Sequence, residues 1–440
     1  VKFMHLILGF GATGASYLRY LNKKNKSALI MDSRARPSGL SEFDNLNNDN
    51  FLLGKFDVGV LDQVNTILVS PGIDYANEVL VEGRKKGTKI LTDIEIFSKE
   101  AKSKKIFITG TNGKTTVVSM LGHVLNNIYG TKEVVCSGNI GTPVLDTLNK
   151  KQDISIVELS SFHLEHIKNL KSDIGVLLNV EQDHLDRHDS FDSYKKIKEK
   201  VLFGCSVGLT VKDILLSIEA SKEQIYCFED LIKPFGKQIN NLFKGKWPYH
   251  EILNIQSVLS IVLVFDALKD KKPLNEVLDE QSDLITKCAE ALISFKRLRH
   301  RFEILGTRNG LTYINDSKST NVSSLLSAIK SAEKFYGKNK VVLICGGDSK
   351  NQDFSKISKK DLDSTKKILI YGRDKEKIIK EIGNKADCSL VADLKDAIRQ
   401  LTSFSHKGDI VLLSPSCAST DMFLDYRERG DKFRELSGFN

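Results

Sequence analysis

Short apolar runs alternate along the chain with segments whose apolar residues recur every three to four positions. The runs His5–Leu8, Ala28–Met31 and Thr66–Val69 are examples near the start of the chain. Runs of this length between turn residues predict buried strands, and the periodic segments between them predict helices. Regular alternation of the two indicates parallel sheets covered by helices, an α/β fold.

The alternation restarts twice, which predicts three α/β domains at residues 1–93, 94–295 and 296–440. A chain of 440 residues is also long enough for about three domains. The strands predicted for the second and third domains are Lys105–Thr109, Ile154–Glu158, Gly175–Asn179, Val341–Cys345, Ile368–Tyr371 and Ile410–Leu413. The stretch Val201–Trp247 carries no motif that we can interpret.

Clusters of glycine and polar residues follow the predicted strands. They are Gly9–Gly11, Ser70–Gly72, Gly110–Thr116, Glu158–Ser161, Asn179–Asp186, Gly346–Lys350 and Ser414–Ser419. Ligands of open parallel sheets bind beyond the carboxyl ends of the strands. The clusters therefore predict binding loops.

The strongest single motif is Gly110-Thr-Asn-Gly-Lys-Thr-Thr116, between an apolar strand and a helix that we predict to begin near Thr115. Loop amides and the positive end of a helix bind phosphate. Lys114 is expected to reach the β and γ phosphates of a nucleotide, and the Thr115 hydroxyl to hold Mg²⁺. The spacing departs from the general P-loop pattern because Ile108 occupies the position of its first glycine.

A second glycine loop, Gly9-Phe-Gly-Ala-Thr-Gly14, is followed by Asp32 at the end of the next predicted strand. This fits the dinucleotide fingerprint, which places an acidic residue about 20 positions further on. The motif is weak by itself. It fits NAD(H), the diphosphate of a UDP group, or a purely structural turn.

Composition and charge narrow the class of protein. The chain is 41% hydrophobic and 28% charged, which is ordinary for a globular protein. We find no apolar run of about 18 residues, so we expect a cytoplasmic protein without membrane insertion. The net charge of +9 is scattered, which does not favour nucleic-acid binding. Seven cysteines without a C-x-x-C pair indicate free thiols rather than disulfides or a zinc site.

Five motifs together resemble the Mur ligases, in the order and spacing of that family. They are the Gly110–Thr116 loop, Glu158–Phe162, Asn179–His188, His300–Glu303 and Asn315–Asn321. Further segments are similar to the family members that add D-glutamate: Gly9–Ser16, Gly346–Lys350, Leu413–Ser419 and Arg427–Phe433. The resemblance spans nearly the whole chain and is thinnest between Val201 and Trp247.

The resemblance implies three domains: an N-terminal Rossmann-like domain for UDP, a central P-loop ATPase-like domain, and a C-terminal Rossmann-like domain for the amino acid. It implies an ATP-dependent ligase of peptidoglycan precursor synthesis. In this reaction the carboxylate of UDP-N-acetylmuramoyl-L-alanine takes the γ-phosphoryl group, and the amine of D-glutamate attacks the acyl phosphate. The partners are then small molecules, and we expect a monomer.

The resemblance also assigns residues around ATP and two Mg²⁺ ions. The catalytic residues are Lys114, His184 and Lys198, and the metal-binding residues are Thr115, Glu158, His184 and Lys198, the last as a carbamate. A carbamate would replace a repelled ammonium by oxygen ligands, which Mg²⁺ prefers. ATP is bound by Gly110, Thr111, Asn112, Gly113, Lys114, Thr115, Thr116, Asn254, Arg301 and Asp316. Some of the residues Asp183, Asp186, Arg187 and His188 are expected to fix the loop around His184.

The remaining assignments concern the two other substrates. Thr13, Asp32, Arg34, Ser70 and Gly72 are assigned to the uridine diphosphate, and Asn139 to the muramoyl end. Lys350, Thr320 and Ser419 are assigned to the carboxylates of D-glutamate, with Tyr426 as an aromatic neighbour. A dicarboxylate needs cations and hydroxyl donors.

Two residues depart from the family pattern, and several alternatives stay open. His163 replaces a glutamine, and Glu251 replaces an asparagine. Another Mur-type ligase or a folylpolyglutamate synthase would share most of these motifs. An NAD-dependent oxidoreductase would explain Gly9–Gly14 and Asp32 but not Lys114. A nucleotide sensor would bind ATP without substrate-dependent phosphate release.

Overall fold

The computed structural model describes residues 5–43, 50–130, 134–184, 187–218, 224–243, 247–274 and 281–439. The chain divides into two compact units. The first unit consists of Val1–Val180, Lys195–Pro234 and Ser257–Ala291, and the second of Glu181–Tyr194, Phe235–Gln256 and Leu292–Asn440. The units are described separately below.

The N-terminal sheet of the first unit has five parallel strands among the described residues. Its strands are β1 (His5–Leu8), β2 (Ala28–Asp32), β3 (Phe51–Leu53), β4 (Thr66–Val69) and β5 (Lys89–Leu91). Its helices are α1 (Ala12–Lys23) and α2 (Glu78–Lys85), and α3 (Asp93–Glu100) follows β5. The order β3-β2-β1-β4-β5 changes direction between β1 and β4, which is where open α/β sheets bind ligands.

The central sheet of the first unit has six parallel strands in the order β11-β10-β9-β6-β8-β7. The strands are β6 (Lys104–Thr109), β7 (Val134–Gly138), β8 (Ile154–Glu158), β9 (Ser172–Leu177), β10 (Cys205–Thr210) and β11 (Ile225–Cys227). The helices of this part of the chain are α4 (Lys114–Tyr129), α5 (Ser161–His166), α6 (Phe191–Phe203), α7 (Lys212–Ser217), α8 (Phe228–Ile232), α9 (Gly236–Phe243), α10 (Tyr249–Asp270) and α11 (Ser282–Ser294).

The C-terminal sheet of the second unit also has six described strands, in the order β12-β13-β17-β14-β15-β16. The strands are β12 (Glu303–Arg308), β13 (Leu311–Asn315), β14 (Val341–Gly346), β15 (Thr365–Tyr371), β16 (Cys388–Leu390) and β17 (Ile410–Leu413). The helices are α12 (Val322–Tyr336), α13 (Lys375–Ile382), α14 (Leu394–Gln400) and α15 (Tyr426–Leu436). Only the β12–β13 pair in this sheet is antiparallel.

Burial explains why the central strands were readable from the sequence. Every residue of β8, β14 and β17 is buried, as expected for parallel strands covered on both faces. The predicted α/β class is confirmed, and most predicted strands agree within a few residues. The strand predicted at Gly175–Asn179 was placed too late, because β9 is Ser172–Leu177 and Asn179 already lies in the following loop.

The structure describes elements in the stretch without a motif, and it corrects one expectation, the absence of a long apolar run. The stretch Val201–Trp247 contains two strands of the central sheet, β10 and β11. The helix segment Glu251–Asp270 is long and apolar enough to cross a membrane, with a mean hydropathy of 1.7 and 67% burial. This is weak evidence for a membrane span, because core helices of soluble proteins pass the same test.

All seven cysteines are free thiols.

Candidate active site

The loop between β6 and α4 has the geometry of a phosphate cradle. Gly113 caps α4 with a φ of +83°, a conformation that glycine adopts without steric cost. Helix α4 therefore begins at Lys114, one residue earlier than predicted. The Lys114 Nζ donates to the carbonyl oxygens of Gly110 at 2.7 Å and Thr111 at 2.8 Å. The lysine is thus folded over the loop whose amides and helix end favour an anion.

Asn179, in the loop after β9, holds the cradle in shape. Its side-chain Oδ1 accepts from the amides of Thr111 at 3.1 Å and Asn112 at 2.8 Å, and its Nδ2 donates to the Asn112 carbonyl at 3.1 Å. Its backbone carbonyl also accepts from the Thr111 amide. Asn179 begins the Asn179–His188 motif, and the sequence alone does not indicate this role.

Glu158 ends β8 with a buried carboxylate, 1% exposed. One oxygen accepts from the Asn139 Nδ2 at 2.9 Å. The other oxygen, Oε2, is buried and has no hydrogen-bond partner among the residues that the structure describes. A buried carboxylate oxygen without a partner is costly unless a cation compensates it, so Glu158 fits a metal ligand. The structure brings this residue together with Asn139, which was assigned to the muramoyl substrate.

Lys198 is almost fully buried in α6, at 1% exposure. Its Nζ donates to the Gly110 carbonyl at 2.9 Å, the same oxygen that accepts from Lys114. Lys198 therefore does not belong to the exposed face of this lysine-rich helix, on which its neighbour Lys196 lies.

The departure at His163 has a local explanation. Its Nδ1 lies 2.6 Å from the Ser160 Oγ, and its amide donates to the same oxygen, which caps α5. Burial, with a smaller contribution from His166, lowers the pKa of His163 to about 4. The ring is therefore neutral at physiological pH and can hydrogen-bond as an amide side chain would.

The loops after β1 and β4 meet at the N-terminal sheet. The Ser70 Oγ donates to the Gly9 carbonyl at 2.7 Å. Asp32 accepts from the Phe10 amide at 2.7 Å and from the Arg34 guanidinium at 2.7 and 2.9 Å. Burial opposes ionisation of Asp32, but Arg34 and the amides outweigh it, so the pKa of Asp32 lies below its usual value. Asp32 thus fixes both Arg34 and the glycine loop.

The other two residues assigned to the uridine diphosphate lie in the same loops. Thr13 is the second residue of α1, and Gly72 is exposed in the turn after β4. Gly14 also has a reason to be glycine, because an added Cβ would come within 2.3 Å of the Gly9 carbonyl oxygen. The third glycine of the motif therefore permits close packing of helix on strand.

In the second unit, Asp183 lies among residues assigned to the amino acid and the metal. Its carboxylate is 3.9 Å from the Lys350 Nζ, 3.8 Å from the His184 Nε2 and 3.4 Å from the Asn321 Nδ2. A cavity of about 910 Å³ is lined by His184 and Lys350, among others. His184 has a φ of +54° and Lys350 a φ of +47°, and strained backbone of this kind concentrates at functional sites.

Asp316 joins the loop of Arg301, which is assigned to ATP, to the loop after β17, which carries Ser419. Its carboxylate accepts from the Phe302 amide at 3.0 Å and from the Ser414 Oγ at 2.9 Å. Desolvation raises the pKa of its enclosed carboxyl to about 7, although Arg301 is among the groups that lower it. Glu251 is also buried, 3.2 Å from the Arg297 Nε, and burial raises its pKa to about 7. Asn254 lies one helical turn after Glu251 in α10.

The residues assigned to D-glutamate come from loops after three adjacent strands, β13, β17 and β14. Thr320 follows β13, Ser419 follows β17 and Lys350 follows β14. Tyr426 begins α15, with the Lys318 Nζ 4.2 Å from its ring centre. These loops therefore meet at one edge of the C-terminal sheet.

Arg429 joins two of these loops from α15. It is 0% exposed and donates to the Ser317 Oγ at 3.0 Å, the Ser317 carbonyl at 2.7 Å and the Cys417 carbonyl at 3.0 Å. Arg429 lies in the Arg427–Phe433 segment of the family resemblance, but the sequence alone does not indicate its role. Three arginines occur in α15, and nothing in the sequence shows which of them is buried.

Asp186, which is assigned to the loop around His184, lies outside the described residues. Among the described residues, no three His, Cys, Asp or Glu side chains form a metal-binding group. Mg²⁺ commonly takes only one or two carboxylates together with substrate phosphates, and Glu158, at the end of the strand that pairs with β6, is one such carboxylate.

Three family models match the chain. They are the Mur ligase MurD-like N-terminal domain at residues 4–92, the Mur ligase middle domain at 108–221 and the Mur ligase glutamate ligase domain at 300–417. The chain is 33% identical to the UDP-N-acetylmuramoylalanine–D-glutamate ligase of Marinobacter nauticus, over 98% of this chain and 97% of the relative. It is 34% identical, with the same coverage, to the enzyme of that name from Shewanella oneidensis.

Solved structures agree with the fold. The MurF ligase of Thermotoga maritima in complex with ADP has a TM-score of 0.56 and 14% identity, over 99% of this chain and 95% of that one. The UDP-N-acetylmuramate–alanine ligase MurC of the same organism has a TM-score of 0.54 and 15% identity, over 98% of both chains.

Proposed function

Because this chain belongs to the Mur ligase family, we propose that it joins D-glutamate to UDP-N-acetylmuramoyl-L-alanine with hydrolysis of ATP, in peptidoglycan precursor synthesis. The observation that carries the proposal is the convergence at the ends of β6 and β8. There the Lys114 loop, the partnerless oxygen of Glu158 and the substrate-side Asn139 lie in one unit. The full-length similarity to ligases of this name supports the choice of D-glutamate.

The domain assignment is part of the proposal. Residues 1–93 would bind the UDP substrate, 94–295 ATP and 296–440 the amino acid, the outer two domains being Rossmann-like. The three matched family models lie inside these ranges. We further propose a cytoplasmic monomer.

Each side chain has a distinct task in this reaction. Lys114 and the loop amides neutralise the phosphates, while Glu158 and Thr115 would hold one Mg²⁺, which supplies further charge neutralisation. Phosphoryl transfer depends mainly on such positioning and neutralisation. The substrate carboxylate attacks the γ-phosphorus, ADP leaves, and the amine of D-glutamate then displaces phosphate from the acyl carbon. Lys350, Thr320 and Ser419 would hold the D-glutamate carboxylates.

The proposed carbamate on Lys198 is supported by its surroundings. Lys198 and Lys114 share the Gly110 oxygen at 2.9 and 2.7 Å, so their ammonium groups lie within about 6 Å of each other. At an effective dielectric constant of about 20, their repulsion is about 3 kcal/mol. Reaction of the neutral Lys198 amine with CO₂ releases a proton and leaves an anion, which Lys114 attracts. This group would supply oxygen ligands to a second Mg²⁺.

The carbamate is tested on Lys198→Ala, with Lys196→Ala on the exposed side of the same helix as control. We expect Lys198→Ala to lose most activity and to recover part of it with added short carboxylic acids, while Lys196→Ala stays active. Mass spectrometry in bicarbonate should show the added CO₂ on Lys198. Full activity of Lys198→Ala without added acids would contradict the modification.

The reaction itself is tested by phosphate release from ATP. We expect release that requires UDP-N-acetylmuramoyl-L-alanine and is stimulated by D-glutamate more than by L-alanine, L-lysine or diaminopimelate. Preference for another amino acid would indicate a different Mur-type ligase. ATP binding without substrate-dependent release would indicate a nucleotide sensor, and binding of a nicotinamide cofactor without ATP binding an oxidoreductase.

A further inference from the structure

Gln352 lies two residues after Lys350, on the inner side of the loop that follows β14. It is only 9% exposed, which is unusual for a glutamine. Gln352 is among the residues that line the cavity beside Lys350, but both polar atoms of its side chain are hydrogen-bonded to the backbone of neighbouring loops. It is therefore a candidate for holding the loops in place rather than for touching substrate.

The amide of Gln352 joins the loops after all three adjacent strands. Its Oε1 accepts from the Val322 amide, the first of α12, at 2.9 Å. Its Nε2 donates to the Thr320 carbonyl at 3.0 Å and to the Ser416 carbonyl at 3.2 Å. All three hydrogen bonds are to backbone atoms, so this one side chain fixes the backbone path of the loops after β13 and β17.

Only an uncharged amide satisfies this environment. The pocket offers one donor and two acceptors, and an amide supplies one acceptor and two donors. A carboxylate would face two carbonyl oxygens, and an apolar side chain would leave three backbone groups unpaired. Buried groups left unpaired are costly.

The loops that Gln352 joins are strained. Lys350 and Asn351 have φ values of +47° and +59°, and Ser416 has a φ of +61°. Residues other than glycine keep such conformations only where surrounding contacts impose them. The Gln352 amide contacts Ser416 directly and anchors the chain next to Lys350 and Asn351.

We propose that Gln352 is a positioning residue for the amino-acid substrate. It holds Thr320, Lys350 and the loop leading to Ser419 in the arrangement that binds the D-glutamate carboxylates. This inference rests on the proposed ligase function. It adds a residue that does not itself touch the substrate.

The test compares Gln352→Leu and Gln352→Glu with wild type and with Gln400→Leu as a control. Gln400 also makes one side-chain hydrogen bond, to Asp396 in α14. We expect Gln352→Leu to raise the KM for D-glutamate at least ten-fold, with the KM values for ATP and the UDP substrate changing less than two-fold. Gln400→Leu should change none of them.

The pH dependence separates positioning from a general loss of stability. A neutral carboxyl group has one donor and one acceptor, so Gln352→Glu restores part of the amide pattern when protonated. Burial against carbonyl oxygens raises the pKa of such a group. We expect the D-glutamate KM of Gln352→Glu, relative to wild type, to fall from pH 8.5 to pH 6, whereas the ratio for Gln352→Leu stays constant.

Several outcomes would overturn the inference. One is an unchanged D-glutamate KM in a folded Gln352→Leu protein, and another is an equal rise for all three substrates. If neither variant folds at any pH, Gln352 is a folding residue and the inference is wrong. If wild type releases no phosphate in response to D-glutamate, the proposed function fails first, before any variant is compared.

Discussion

The phosphate cradle after β6 and the three-loop site of the C-terminal sheet are both built for anions, but in different ways. The cradle is one continuous segment, Gly110–Thr116. The groups in it that favour an anion are mainly its own backbone amides, a helix end and one lysine. The C-terminal site takes single side chains from loops after β13, β14 and β17, which are far apart in sequence.

The two sites also differ in what keeps their shape. The cradle needs a glycine at φ +83° and one clamp, Asn179. The C-terminal loops depend on two buried side chains, Gln352 and Arg429, which together reach four backbone carbonyls and one amide. Substitution of a residue in the cradle should therefore lower the activity. Substitution of a residue that holds the C-terminal loops should lower the stability of the fold as well.

The largest effect is expected for Lys114→Ala. Loss of the cation that neutralises the phosphates should lower kcat for phosphate release by roughly 1,000-fold, the lower end for charge stabilisation in phosphoryl transfer. The thermal midpoint should stay close to wild type, because the contacts of Lys114 are to a partly exposed loop. The exposed Lys102→Ala serves as control. A large loss of stability in Lys114→Ala would remove the contrast between the two sites.

Arg429→Leu should mainly reduce stability. It leaves the buried carbonyls of Ser317 and Cys417 without a donor, at a cost of about 1–3 kcal/mol each. We expect the free energy of unfolding in urea to fall by about 3 kcal/mol. Arg399→Leu is the matched control, because Arg399 is 81% exposed and its ion pair should contribute less than about 1 kcal/mol. Equal effects at both positions would mean that the buried arginine does not organise the loops.

Asn179→Ala probes the clamp on the cradle. The substitution removes the side-chain hydrogen bonds to two loop amides and one carbonyl, so ATP should bind to a less ordered loop. We expect the KM for ATP to rise roughly 30-fold, equivalent to about 2 kcal/mol, while the KM for D-glutamate is unchanged. Exposed Asn169→Ala is the control. A selective effect on D-glutamate would contradict the assignment of Asn179 to the cradle.

The smallest effect concerns the pH dependence of stability. The pKa of Asp316 is about 7 in the folded protein, against about 3.9 in an unfolded chain. The folded state therefore binds the proton more tightly, and stability falls as pH rises from about 4 to about 7. In Asp316→Asn this dependence is removed. The variant should gain about 1.4 kcal/mol relative to wild type between pH 6 and pH 8, measured by urea unfolding, whereas exposed Asp62→Asn should gain nothing.

The contrast also explains what the sequence could predict. The phosphate cradle at Lys114 could be predicted because the strand, the glycines and the lysine follow one another in the sequence, and their order alone determines the cradle. The burial of Lys198 could not be predicted from the sequence, because Lys198 lies in a lysine-rich helix. The roles of Gln352 and Arg429 could not be predicted, although Arg429 lies in a motif of the resemblance, because their partners are mainly backbone atoms of distant loops. Asn179 was assigned to a motif by resemblance, but its role depends on the pairing of β9 with β6.

Isotope transfer tests the proposed reaction most directly. UDP-N-acetylmuramoyl-L-alanine is labelled with ¹⁸O on both carboxylate oxygens and incubated with the protein, ATP, Mg²⁺ and D-glutamate. If the carboxylate attacks the γ-phosphorus, each released phosphate should carry one ¹⁸O by mass spectrometry, and the amide product should retain the other. Unlabelled phosphate released together with the amide product would contradict an acyl-phosphate route.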